Sequence, residues 1–152
     1  MKSDELNISQ IPAIEVLKKI GYQYLSLEQV NQLRVNPNEV LLRTVLKDKL
    51  KELNSYEYKG EIRKFSDANI HQAIRDLDEP LTNGLVKANE AIYETLLHGR
   101  SYTEFLPDGS KKSFTIQYID WNHIENNVFH VAEEFEVERM DGRGMVRPDI
   151  VL

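Results

Sequence analysis

The residues with the clearest chemical potential lie at the end of the chain, in Arg147-Pro-Asp-Ile-Val-Leu152. Asp149 heads a short apolar β-run, and Pro148 sets its entry. A carboxylate in that position has its backbone fixed by a strand and sits at the rim of a sheet. Magnesium-assisted hydrolysis of a phosphodiester needs hard oxygen ligands of this kind, to hold the ion and offset charge on the scissile phosphate. The same residue also fits a plainer role, an Asp that follows a turn and accepts hydrogen bonds from nearby amides. Glu15 lies among apolar neighbours in the first amphipathic stretch, where an exposed helical Glu is the plainer reading. Glu134, Glu136 and Glu138 recur with a period of two, either toward a site or as the wet face of a half-covered sheet.

Other chemistries have little support. The histidines, His71, His98, His123 and His130, show no zinc-protease spacing. There is no cysteine, so no thiolate ligand, disulfide or cysteine nucleophile. No phosphate-cradling glycine loop, serine elbow or dinucleotide fingerprint is present. Arg143 and Arg147 lie closest to Asp149 in sequence and are the candidates for phosphate contacts. Arg34, Arg43, Lys47, Lys51, Arg63 and Lys64 form the densest basic region, but they alternate with Glu39, Asp48, Glu52, Glu57 and Glu61. That pattern equally describes a solvated face of mixed charge.

The elements that must position these residues follow from periodicity. Ile11, Ile14, Val16, Leu17 and Ile20 mark a helix that Gly21 stops. Tyr22–Leu25 is a short extended piece. Ser26 with Gln29 forms a capping box for a helix to about Arg34. Asn36-Pro-Asn-Glu39 repeats a start signal, and a helix is expected from there to about Asn54. Tyr56–Gly60 is a loop or short strand. Ser66 caps a helix bearing Ile70, Ala73, Ile74 and Leu77, which Glu79-Pro80 ends. A further helix is expected from about Asn83 to His98, with Gly99 as its stop. The period then changes to two. Tyr102–Phe105 and Lys112–Ile119 flank the turn signal Pro107-Asp-Gly109. Val128–Glu138 reads as one long strand, and Asp141–Gly144 turns it into the final β-run. The layout is α+β, N-terminal helices followed by an antiparallel or mixed β-meander, expected as a single domain over residues 1–152.

Composition bounds the rest. The chain has 152 residues, enough for one core. No apolar run approaches the ~20 residues that span a bilayer. The polar N-terminus lacks a signal-peptide core. With no cysteine, a reducing cytoplasm is the expected setting and no membrane partner is expected. The net charge of −6 argues against general stickiness to nucleic acid while leaving room for a local basic strip.

Several stretches taken together also carry a resemblance. Ser113–Asn122 (with Ile-Asp-Trp-Asn), Glu125-Asn-Asn-Val-Phe-His130, Glu134–Arg139 and Arg147–Leu152 resemble the N-terminal domain of the restriction (R, or HsdR) subunit of type I restriction-modification enzymes. The likeness extends upstream through Asn83–Glu90 and Ile11–Tyr22, and so covers nearly the whole chain. It implies a PD-(D/E)xK-type nuclease core whose first motif Asp falls on Asp149. In such a core Asp149 holds Mg2+ together with a Glu, and a Lys assists the attacking water or the transition state. Nucleases of that superfamily often present an acidic residue from a helix beside the sheet, and Glu15 is the candidate. The parent enzyme would cleave double-stranded DNA after ATP-driven translocation, with modification and specificity subunits as partners and ATP handled by domains further along. The Glu-x-Lys motif lies beyond the residues of this chain, so the 152 residues alone are expected to lack nuclease activity. An unpaired Ile150–Leu152 edge is expected to favour self-association. The alternative is a non-catalytic module that docks the restriction subunit onto its partners.

Overall fold

A short amphipathic helix opens the described part of a computed structural model of the chain, which covers residues 9–78, 84–133, 135–139 and 142–152. This helix, α1 (Ile11–Lys19), starts with Pro in its first turn and buries Ile14. Gly21 ends it with φ of +106°. The amide of Tyr22 donates to Leu17 O and that of Gly21 to Lys18 O, which satisfies the last carbonyls in a Schellman arrangement. Strand β1 (Gln23–Leu25) follows directly. Helix α2 (Leu27–Leu33) has the expected reciprocal capping box, Gln29 N–H to Ser26 Oγ and Ser26 N–H to Gln29 Oε1.

The described residues cluster into two compact units. One contains those up to Thr44 together with those of Val128–Leu152; the other contains Val45–Asn127. The first is built on a three-stranded sheet in the order β1, β6 (His130–Glu133), β9 (Ile150–Val151). β1 and β6 are parallel, with Tyr24 opposite Val131 and Leu25 opposite Ala132. β6 and β9 are antiparallel, with Glu133 opposite Ile150. A parallel pair between strands so far apart in sequence is what an antiparallel meander cannot supply; the sheet is mixed. Val30, Ala132 and Phe135 form the buried core here, with Leu25, Leu42, Val137 and Val151 packed on it. A small hairpin, β7 (Val137–Glu138) with β8 (Met145–Val146), completes the unit.

Two expectations need correction in this unit. The single strand over Val128–Glu138 is two short strands, β6 and β7. Val131 and Ala132 are consecutive and both buried, because β6 is central and covered on both faces. After it, the Arg34 guanidinium lies 4.6 Å over the Phe135 ring and donates to Glu136 O at 2.6 Å, so this segment bonds to the end of α2 instead of continuing a ladder. The helix expected from Asn36-Pro37 starts only at Arg43. Glu39 turns back to accept from Val35 N–H at 3.0 Å, and Pro37 O accepts from Glu138 N–H at 3.2 Å, so the segment folds as turns. The Glu79-Pro80 stop and the start at Asn83 lie outside the described residues.

The second unit packs helices on a hairpin. α3 (Arg43–Leu53) runs into it, α4 (Asp67–Asp76) is capped by Ser66, and α5 (Leu85–His98) ends at Gly99. β2 (Tyr56–Tyr58) and β3 (Glu61–Arg63) form a tight hairpin. β4 (Arg100–Phe105) and β5 (Lys111–Ile116) form the larger one, around the expected Pro-Asp-Gly turn. Leu50, Phe65, Ile70, Ala73, Ile74, Tyr102, Ile116 and Tyr118 are its core. Glu104 stands among them, 5% exposed. Its carboxylate accepts from Ser66 N–H and Oγ–H and from Asn69 Nδ2, and so it caps the N-terminus of α4, where the helix dipole favours a negative charge. Asn54 pairs edge-on with Gln117, accepting from its N–H and donating to its carbonyl at 2.8 Å each, and thereby continues the hydrogen bonding beyond β5.

Candidate functional site

Asp149 sits one residue ahead of β9, exposed to solvent. Its successor Ile150 pairs with Glu133 on β6, so the carboxylate is delivered to the outer strand of the mixed sheet, as the apolar run after it required. Arg147, two residues earlier, lies 3.7 Å from Glu136. Arg143 lies in the turn between β7 and β8, also with an interaction of its own. Glu136 is therefore tied to Arg147, Glu138 is an exposed residue of β7, and Glu134 lies outside the described residues.

Glu15 is placed elsewhere in the same unit. It is exposed on α1, and Lys18 donates to it at 2.7 Å. That bond and the lysine's charge hold the Glu15 carboxyl below its ordinary value. Together with Ile11, Ile14, Lys18, Tyr24 and Glu133 it lines a hollow of about 180 Å3 beside the sheet. Glu133, one residue ahead of the period-two row, is the acidic neighbour of Glu15 that the sequence does not single out. Tyr24 donates to it at 2.5 Å, and this bond pushes the phenol up to about 12. The only available signal was the parallel pairing that sets Tyr24 beside Val131 and the next inward position, and such pairing is not written in either segment alone. Asp149 is not part of this lining.

The donor set has the hard-oxygen chemistry that Mg2+ takes. Among the described residues no three of His, Cys, Asp or Glu converge as a metal-holding group, so Asp149 would supply one oxygen ligand and not a complete set.

The basic region resolves into structural bonds at most of its positions. Arg34 is held against Phe135 and the carbonyls of Pro37 and Glu136. Arg43 pairs with Glu39, Lys51 with Asp67, and Arg63 with Glu61. Lys64 Nζ donates to the carbonyls of Lys51, Glu52 and Asn54, closing the C-terminus of α3. Each of these five cations has an acidic or carbonyl partner within its own unit.

The Ile-Asp-Trp-Asn and Glu-Asn-Asn stretches meet in one loop around a short 3-10 turn, Ile124–Asn126. Asp120 accepts from the N–H groups of Asn122 and His123 and from Asn126 Nδ2. Asn127 closes the loop by bonding both N–H and C=O of Asp120 at 2.9 Å. These bonds hold the Asp120 carboxyl below its ordinary value, Asn126 first. Asp120, Asn122, Asn126 and Asn127, which stand in the stretches that carry the resemblance, are thus residues whose bonds close this loop.

An α+β chain with a small mixed sheet, and with carboxylates at the outer strand and the flanking helix, is the class these observations define. Comparison with known proteins narrows it. Residues 2–152 match the type I restriction enzyme R protein N terminus, and the chain belongs to that family. It is 28% identical over 156 residues to a protein of Methanocaldococcus jannaschii named as the type I restriction enzyme MjaIXP endonuclease subunit. That match takes in 99% of this chain and 14% of the relative, so the chain spans about a seventh of the length of the curated protein it matches. No solved structure matches it. Among the described residues no helix is long and apolar enough to cross a membrane.

Proposed function

We propose that this chain is the amino-terminal nuclease region of a type I restriction subunit, that Asp149 is a carboxylate of its DNA-cleavage site, and that Glu15 is an accessory acid on the flanking helix. The substrate is double-stranded DNA, contacted near the site through Arg143 and Arg147. The partners are the modification and specificity subunits, and ATP belongs to other domains of the same enzyme. Mg2+ is the metal of this reading, its remaining ligands supplied from outside the described residues. The observation that carries the proposal is the Arg-Pro-Asp run entering an outer strand next to β6, in a chain whose family match extends over residues 2–152. The endonuclease name of the M. jannaschii relative supports it further.

The test is Asp149→Ala in the restriction subunit that contains this region, assembled with its partners. Cleavage is expected to fall at least about 100-fold, since even the outer partners of a metal site are worth 10–100-fold, while ATP hydrolysis persists. Cleavage retained at full rate sinks the assignment. If cleavage is lost because assembly with the other subunits fails, the docking-module reading takes its place.

A further inference from the structure

The second unit contains a hollow of about 500 Å3 between the end of α3, the end of α5 and the loop after β5. That size lies in the range of small-molecule sites. Its apolar wall is Leu53, Leu97 and Ile119. At its rim stands Trp121, 51% exposed, with its indole N–H fixed to Leu96 O at 3.1 Å. A large aromatic left half in water, yet anchored by its polar edge, is a rigid platform and not a core residue. Asn122 follows it, donating its backbone N–H to Asp120, and is itself part of the lining. Ser55, Thr115 and Gln117 add neutral hydrogen-bonding groups; the Thr115 hydroxyl also bonds Ser101 Oγ at 3.2 Å, and Gln117 Nε2 gives one of its two N–H bonds to His98 O at 3.3 Å.

The charge of this lining is informative. No lysine or arginine contributes to it among the described residues, and the one imidazole in the lining, His123, lies 3.7 Å from the Asp120 carboxylate, so the lining favours a neutral ligand over a phosphate or carboxylate. The Asp120 oxygens are engaged by the backbone N–H groups of Asn122 and His123 and by Asn126 Nδ2, so this carboxylate is committed to the loop first. What remains suits a flat, neutral ligand whose edge carries both amide-like donors and acceptors. A nucleobase has that edge, and every base has a face that stacks on an indole. A paired base inside a duplex cannot offer its face. We propose that this hollow is a binding site for an unpaired nucleobase, stacked on Trp121 and read by the amides of Asn122 and Gln117. Only the choice of DNA as the carrier of that base rests on the reading of the chain as part of a restriction subunit.

Trp121 is the sole tryptophan of the chain, so its fluorescence reports on this hollow alone. The experiment titrates the 152-residue protein with a short oligothymidylate, an abasic strand of equal length and a duplex. Saturable quenching by the oligothymidylate, with none from the abasic strand or the duplex, is expected. Trp121→Ala, followed with a labelled oligonucleotide, is expected to weaken binding about 10-fold, as loss of one stacking platform does. Asn122→Ala, which removes an exposed amide, guards against a folding defect and is expected to weaken binding at least about 3-fold, as loss of one hydrogen bond does. Absence of quenching, or equal quenching by the abasic strand, overturns the proposal. Equal quenching by an oligouridylate supports a base site without preference for DNA. Asp149→Ala is expected to leave the titration unchanged, so failure of the cleavage assignment and failure of this site are read separately.

Discussion

Glu104 shows most directly what a single residue does here. A carboxylate on the inward face of β4 is tolerated because three donors at the start of α4 converge on it. Glu104→Ala leaves those donors without an acceptor and is expected to cost about 2 kcal/mol, measured as a lower urea midpoint with an unchanged slope. Glu104→Gln keeps an acceptor and is expected to lose less. Tyr24 supplies a second case. Its phenol is held protonated up to about 12 by Glu133, above the unfolded value near 10. The folded state therefore binds the proton more tightly, and the stability this contributes is present below pH ~10 and lost as pH rises toward ~12. Glu133→Gln is expected to bring the Tyr24 transition down toward its ordinary value, followed by ultraviolet absorbance of the phenolate. His130 has the opposite sense, since burial lowers it. Between the folded value and about 6.5 the unfolded chain binds more protons, so stability falls as pH drops through that window. His130→Gln is expected to flatten this slope in denaturant titrations from pH 7 to pH 5.

Elements carry their own constraints. The junction of α5 and β4 depends on Gly99, which has φ of +71°. A Cβ there would lie 2.5 Å from Ile116 O on the partner strand. Gly99→Ala meets both the backbone strain and this contact, and a loss above about 1 kcal/mol is expected in thermal or urea unfolding. Ser26 is the corresponding point at the start of α2, where Ser26→Ala removes the acceptor for Gln29 N–H at an expected cost of about 1 kcal/mol. Both were legible beforehand, because a cap or a helix stop is a local arrangement of a few residues. The onset of α3 was not. Asn36-Pro37 has the chemistry of a helix start, but Glu39 and Pro37 are claimed by Val35, Arg34 and Glu138, and the last of these is remote in sequence.

At the scale of the molecule, the chain leaves the first unit after Thr44 and returns at Val128, with the second unit formed by the uninterrupted segment between. That segment has its own core around Leu50, Ile70 and Ile116, and its own helix caps. Val45–Asn127 expressed alone is expected to fold with a cooperative thermal transition by circular dichroism; a chain without such a transition contradicts its independence. The first unit is discontinuous, and its sheet exists only because β1 and β6 meet across that insertion. The candidate cleavage residues Asp149 and Glu15 both belong to this discontinuous unit, whereas the hollow at Trp121 belongs wholly to the other.

Local chemistry was therefore open to inspection from the start. Helix caps, the Pro-Asp-Gly turn, the period change near Gly99 and the carboxylate heading the last strand are each set by neighbours within a few residues, where backbone sterics and short-range hydrogen bonds act. The stretches that carry the family likeness include Asp120 and Asn127, whose mutual bonds are likewise short-range in sequence. Tertiary structure alone decided which distant segments pair. It set β1 parallel to β6, cut the expected long strand in two, drew Arg34 onto Phe135, and placed Glu133 instead of Asp149 beside Glu15. Parallel pairing is chosen by the burial of whole faces against each other, and that free energy belongs to the assembled sheet rather than to any stretch of sequence.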